Sequence, residues 1–500
     1  MKKFLPGWIT AALAIGLLVA GGLMILPSAR AYDAVSTNSS IELFMDVFSR
    51  TSVTYVDSVG SQELIEAALR GMLESLDPNS VLLSPDDYEN LKIQLSGSFE
   101  GVGITIGIRD EWLTVISPVE GTPAFRAGMK AGDKIVEIDG ESTEGITTTE
   151  AVMKIRGPRG SIVDLTVVRP GLSDSLIFNI ERDEIDLPSV SASFMLNRDI
   201  GYVRLSRFGE ETSSETYQAI ESLVDQGMTS LILDLRGNAG GLFTAALEIS
   251  DLFLPSGTLV VSTRGNAVGE DKYYTSNGVM FDGKLVVLVD GGSASSSEIV
   301  AGALQDNGNA TLIGSRTFGK GSVQTLMDLG EFPGLGHYGV KLTTARYFTP
   351  SGRSIDRTLN EDFLEEDRSD SLADWGIEPD ITVELQEVSG SLPAELYLGS
   401  VFFKFATDYV LENEIQDDFW PDSSTVEDFR QFLTEEGYEW EEGEFQDNNY
   451  YIKRALFSEI AARVWDREMY HRMMAPHDET VQRALQYINE DSETSEGQAP

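Results

Sequence analysis

Two apolar runs constrain this chain more than anything else in it. Ser230–Leu235 (SLILDL) and Lys284–Asp290 (KLVVLVD) each carry an unbroken apolar stretch up to an aspartate. Runs of this kind suit strands buried on both faces, as in a parallel sheet. Each leads into a glycine-rich turn and then a helical pattern, over Leu242–Leu252 and Ser297–Asp306. Ile200–Leu205 reads as a further strand. Thr212 and Glu215 have capping-box spacing ahead of a helix to about Val224. Strand, turn, helix and strand in that order predict a layered α/β domain, bounded here as residues 183–394.

The flanks read differently. Residues 96–182 hold short β-patterned runs (Gly103–Ile108, Leu113–Ile116, Lys134–Ile138, Ile162–Val168) between glycine-rich turns, with a helical patch over Thr149–Ile155. They predict an inserted β-rich module. Within 32–95, residues 39–76 look helical, with Ser61 as an N-cap and apolar positions from Leu64 to Leu76 at a period near 3.6. Residues 395–500 predict a mainly helical, acidic C-terminal extension, with periodicity in Leu396–Leu411, Thr425–Leu433 and Ile452–Met474 and an unstructured polar end. Its last 100 residues hold 24 acids and 8 bases. That extension could pack on the α/β domain, mediate assembly or bind an adaptor.

The N-terminus reads as an export signal. Lys2 and Lys3 precede an apolar stretch to about Pro27, and Ala29-Arg30-Ala31 fits a cleavage site. The stretch is also long enough to span a bilayer, so cleavage after Ala31 and retention as a membrane anchor both stand. The expected location is the periplasm or cell envelope, with membrane association through residues 1–31 where the segment is kept.

Charge and rare residues exclude whole classes of chemistry. With 81 acids against 37 bases the formal charge is −44, a field that repels phosphate backbones and argues against nucleic-acid binding. The acidity suits salt adaptation and general solubility alike. Cysteine is absent, so disulfides and thiolate chemistry are excluded. The three histidines, His337, His471 and His477, have no motif context and are read as surface residues. No metal-ligand spacing occurs, and no metal or cofactor is expected.

The densest chemical signal is Gly291-Gly292-Ser293-Ala294-Ser295-Ser296-Ser297-Glu298. A serine on such a turn sits at a helix N-terminus, where outward N–H groups suit an oxyanion. Alone, the segment fits a helix-capping loop equally well. It also resembles the Gly-Gly-Ser-Ser run of amidases, which pair their serine with an upstream lysine; Lys272 and Lys284 are the candidates here. Downstream, Lys320 lies between glycines in Thr317–Gln324 (TFGKGSVQ). Burial would favour its neutral form, which can take a serine proton, and Gln324 could hold it. Alone, Lys320 fits an ordinary loop lysine better. Asp234–Gly241 (DLRGNAGG) adds a glycine-rich loop whose N–H groups could supply another oxyanion donor.

Together, DLRGNAGG, GGSASSSEIVAGALQD, TFGKGSVQ, LTTARYFTPSGRSI and WGIEPDI make the chain similar to the carboxy-terminal processing peptidases over roughly residues 40–388. That resemblance implies an α/β protease core with an inserted PDZ domain. It makes Ser295 the nucleophile, Lys320 the general base and Gln324 its orienting partner. The Ser296 N–H and the Gly241 N–H become the oxyanion donors. The family often has alanine where Ser296 stands. Gly101-Val102-Gly103-Ile104 matches the family's PDZ loop, which holds a peptide C-terminal carboxylate while the peptide adds as an edge strand. The expected function is an exported serine endopeptidase cutting polypeptides with apolar C-termini, with an adaptor and a homo-oligomer through the N-terminal helices as further expected partners. The alternatives are a PDZ-bearing scaffold or catalytically silent relative, and an amidase acting on small amides.

Overall fold

The computed structural model describes residues 34–496, except 268, 358–374 and 385–387; side chains are described for 38–490 within that span. The export segment lies outside the described residues. No helix among the described residues is long and apolar enough to cross a membrane.

The described chain divides into two units. The smaller takes in residues up to 88, 264–270 and 323–345. Its helices are Ala34–Thr54 and Ser61–Glu74. The single helical stretch expected over 39–76 is therefore broken between residues 54 and 61, and Gly60, not Ser61, is the N-cap. The strand Val81–Leu83 pairs antiparallel with residues 339–341, and Leu73, Leu82 and Tyr338 form a small core.

The larger unit is built on a six-stranded sheet. Its order is Val190–Met195, Ile200–Leu205, Ser230–Asp234, Lys284–Val289, Thr311–Gly314 and Ile381–Thr382. The first pair is antiparallel and the rest parallel. Both apolar runs are central strands. Leu231, Leu233, Val287 and Val289 are fully buried, and they alternate along their strands with Ile232, Val286 and Leu288, which join Ile313 in a different cluster. Period-two alternation puts the two sets on opposite faces of the sheet.

That second cluster includes Ala475, Val481, Ala484 and Ile488. The helix Glu479–Glu496 thus covers one face of the central sheet. The C-terminal extension packs on the α/β domain, and its last helix runs on to Glu496, where polar composition predicts an unstructured end. Leu392, Leu396, Phe402, Phe405, Phe429 and Leu456 give the preceding helices a core of their own.

The β-rich insertion is a sheet in the order Ile104–Arg109, Trp112–Pro118, Lys134–Ile138, Ile162–Val168, Leu176–Glu181. Its core includes Leu113, Val115, Ile135 and Leu165. The strand Ile104–Arg109 forms one edge. The helix Thr148–Ile155 opens on a capping box between Thr147 and Glu150. The box expected at Thr212 does not form. Glu211 is the N-cap, Glu215 accepts the Val190 N–H, and the Thr212 hydroxyl donates to Ser189.

Candidate active site

Ser295 stands where the strand Lys284–Val289 turns into the helix Ser296–Asp306. It is the N-cap residue and has φ +56°, ψ −112°, a conformation unfavourable for any residue with a Cβ. Its neighbours lock it there. The Ala294 N–H donates to the Asn238 carbonyl at 3.0 Å, and the Ser297 hydroxyl donates to the same carbonyl at 2.8 Å. The Ser293 hydroxyl donates to the Leu235 carbonyl at 2.9 Å.

The glycine-rich loop after Asp234 therefore lies directly on the serine loop. Gly240 has φ +93°, and a Cβ there would stand 2.7 Å from the Ala294 oxygen and 2.9 Å from both Ser295 Cβ and Ser296 N. Only glycine lets the backbones approach so closely. The Gly240 carbonyl accepts the Phe208 N–H at 3.1 Å. Across a trans peptide that turns the Gly241 N–H the opposite way. Neither the Gly241 N–H nor the Ser296 N–H donates to another described residue. The Ser296 hydroxyl is within 3.1 Å of the Gly241 carbonyl and 3.2 Å of the Leu242 carbonyl, holding the loop in place.

Lys320 reaches this constellation through a residue that motif reading passed over. Glu298 is completely buried on the first turn of the serine helix. One of its oxygens accepts the Ser295 N–H at 2.8 Å and the Lys320 N–H at 2.9 Å. The other accepts the Thr317 hydroxyl at 2.5 Å and the Gly319 N–H at 2.7 Å. The Phe318 N–H closes on the Ser293 carbonyl at 3.0 Å. Burial pushes the Glu298 carboxyl above its ordinary value, while these four donors pull against that rise. The signal available in the sequence was the Ser-x-x-Glu spacing of a capping box. Residues 307–325 contain no carboxylate, yet in the fold Glu298 lies against their backbone.

Gln324 belongs to the smaller unit. Its amide donates to Thr343 at 3.3 Å, and the Thr343 hydroxyl donates to Asp77 at 3.1 Å. In the β-rich insertion, Gly101 ends the strand Ser98–Gly101 and Ile104 opens the edge strand. Val102 is buried and its carbonyl accepts the Ala124 N–H; the Gly103 carbonyl accepts the Val119 N–H and the Thr122 hydroxyl. With both carbonyls turned inward, the Gly103 and Ile104 N–H groups face away from them. Such a turn can hold a carboxylate.

The histidines are not plain surface groups. His337 donates a hydrogen bond to Asp328 and stacks on Tyr88. His477 stacks on Trp420. His471 packs at the buried charges of Arg204, Asp234 and Arg236. Neither His471 nor His477 enters the Ser295 constellation.

This fold, with its embedded β-rich insertion, is that of a peptidase carrying a PDZ domain. The family model for peptidase family S41 matches residues 199–383, and a PDZ domain model matches 114–169. The chain is 41% identical over 355 residues to the carboxy-terminal-processing protease of Bartonella bacilliformis, covering 70% of this chain and 76% of the relative. It is 39% identical over 302 residues to the carboxyl-terminal-processing protease of a Synechocystis species, covering 59% and 69%. It is 33% identical over 345 residues to a carboxy-terminal processing protease of Bacillus subtilis, covering 68% and 67%. The chain belongs to peptidase family S41.

Proposed function

We propose that the chain is an exported serine endopeptidase that cleaves polypeptides near apolar C-termini through a Ser295–Lys320 dyad. The observation that carries this reading is the single Glu298 oxygen shared by the Ser295 and Lys320 N–H groups. Residues 25 apart in sequence thereby become neighbours at the backbone. Neutral Lys320 takes the Ser295 proton as the hydroxyl attacks the scissile carbonyl, and Gln324 orients the lysine. The Gly241 and Ser296 N–H groups receive the developing oxyanion. The amine departs with a proton from Lys320, and the same lysine activates water to hydrolyse the acyl-enzyme.

The PDZ loop Gly101–Ile104 holds the substrate's terminal carboxylate, and the substrate adds beside the strand Ile104–Arg109. Names of the S41 relatives support C-terminal processing as the activity. The reading keeps residues 1–31 as signal or anchor, 96–182 as the PDZ domain and 183–394 as the protease core.

The test is cleavage of a polypeptide with an apolar C-terminus by Ser295→Ala and Lys320→Ala proteins that melt like the parent. Both should be inactive. Parental turnover by Ser295→Ala would sink the assignment, and peptide binding without turnover by the parent would favour a scaffold.

A further inference from the structure

The family model ends at residue 383, but the site's structural support does not. The loop from Asp234 to Gly241 begins in a partly buried ion cluster around the fully buried Asp234. Arg236 donates its backbone N–H to Asp234 at 2.9 Å, and its guanidinium reaches both Asp234 oxygens at 3.0 and 2.7 Å. Arg204 holds Asp234 at 2.7 Å and the Arg236 carbonyl at 2.7 Å. The Tyr202 hydroxyl donates to Asp234 at 2.6 Å. The remaining arm of Arg236 is taken by Asp478, with both carboxylate oxygens at 3.0 Å.

Asp478 comes from the C-terminal extension, immediately before the helix that covers the central sheet. Its Oδ1 also accepts the Thr480 and Val481 N–H groups at 3.0 and 3.1 Å. The carboxylate is thus fixed by the start of its own helix as well as by Arg236. Charge points the same way. Two guanidiniums, Arg204 and Arg236, face two carboxylates, Asp234 and Asp478; without Asp478 the cluster keeps one unmatched positive charge on partly buried arginines. A shift of Arg236 would pass quickly along the chain. The Gly237 N–H is bound to Asp290 at 2.8 Å, and the next residue, Asn238, supplies the carbonyl that holds Ala294 and Ser297.

We propose that Asp478 is a positioning residue for the peptidase reaction, setting through Arg236 the loop that carries the Gly241 oxyanion donor. This rests on the assignment of that loop in the proposed function. The test uses the full chain. Asp478→Asn keeps the size and the capping oxygen but removes the charge facing Arg236. Ile488→Ala loosens the same helix by removing packing from the sheet face, without touching the cluster. Asp478→Asn should lower kcat about tenfold with KM unchanged, and should slow fluorophosphonate labelling of Ser295 in parallel. Asp478→Glu should recover part of the loss. Ile488→Ala should lower the melting temperature at least as far with kcat close to the parent's. Parental kcat in Asp478→Asn would overturn the proposal, as would an equal kcat loss in Ile488→Ala at the same melting shift. Parental turnover by Ser295→Ala in the same assay would instead overturn the site assignment beneath it.

Discussion

Replacing Glu298 by glutamine tests whether one carboxylate assembles the site. Four groups donate to it, and only an ionised carboxylate can accept from all four. Glutamine keeps one acceptor oxygen and turns an NH2 toward two of those donors. Two buried donors then lose their partner, at about 1–3 kcal/mol each. The affected pair is either Ser295 with Lys320 or Thr317 with Gly319, so each orientation of the amide releases the lysine loop. A displacement of about 1 Å there costs roughly 100-fold in rate. The assay is kcat and KM on a peptide with an apolar C-terminus, beside urea unfolding. Glu298→Gln should lose about 100-fold in kcat with KM little changed. Protonation of Glu298 provides a second check. Burial raises its pKa above 4.5 in the fold despite the four donors, so the folded protein binds this proton more tightly than the unfolded chain. Its contribution to stability therefore falls as pH rises from 4.5 through the folded value. Activity runs the other way, since protonation removes an acceptor, and kcat should fall on the acid side before the fold is lost. A Glu298→Gln enzyme with parental kcat and an unchanged acid limb would refute the reasoning.

Gly240→Ala forces a Cβ to within 2.9 Å of Ser295 Cβ and Ser296 N, so peptide cleavage should fall by about 100-fold or more while circular dichroism stays parental; retained cleavage would count against the close approach. Gly103→Ala places a Cβ 2.3–2.5 Å from Thr122 at φ +76°. It should raise KM about tenfold for a peptide ending in a free apolar carboxylate, and leave the same peptide amidated unaffected; equal changes on both would remove the PDZ loop from substrate binding. His471 is pulled down from 6.5 to about 4 by burial first and then by Arg204. The folded state therefore disfavours its proton, and the stability it contributes is complete above pH 6.5 and lost as pH falls toward 4, about 3 kcal/mol in all. In urea unfolding from pH 7 to 4.5, His471→Gln should show a shallower decline than the parent, and parallel curves would contradict this.

How much of the molecule can be read in advance depends on where each residue's partners lie. The buried strands and the Ser295 and Lys320 segments are local patterns, and they are legible as such. Covering of the sheet by Val481, Ala484 and Ile488 was not. Helical spacing shows which face is apolar, and says nothing of what it meets. The same Ser/Thr-x-x-Glu pattern occurs at Thr147, Thr212 and Ser295, with three different results. At Thr147 no distant donor among the described residues competes, and Glu150 closes the box on the Thr147 N–H. At Thr212 the Val190 N–H takes Glu215, while Ser189 and Gly209 take the threonine hydroxyl. At Ser295 the Glu298 carboxylate takes the Ser295 N–H, and donors from 19 to 22 residues downstream join it on the same carboxylate. Local spacing thus nominates a carboxylate near a helix start. Which N–H groups reach it is decided by the strand and loop packed alongside, and at Glu298 that tertiary choice is what brings the lysine segment to the serine.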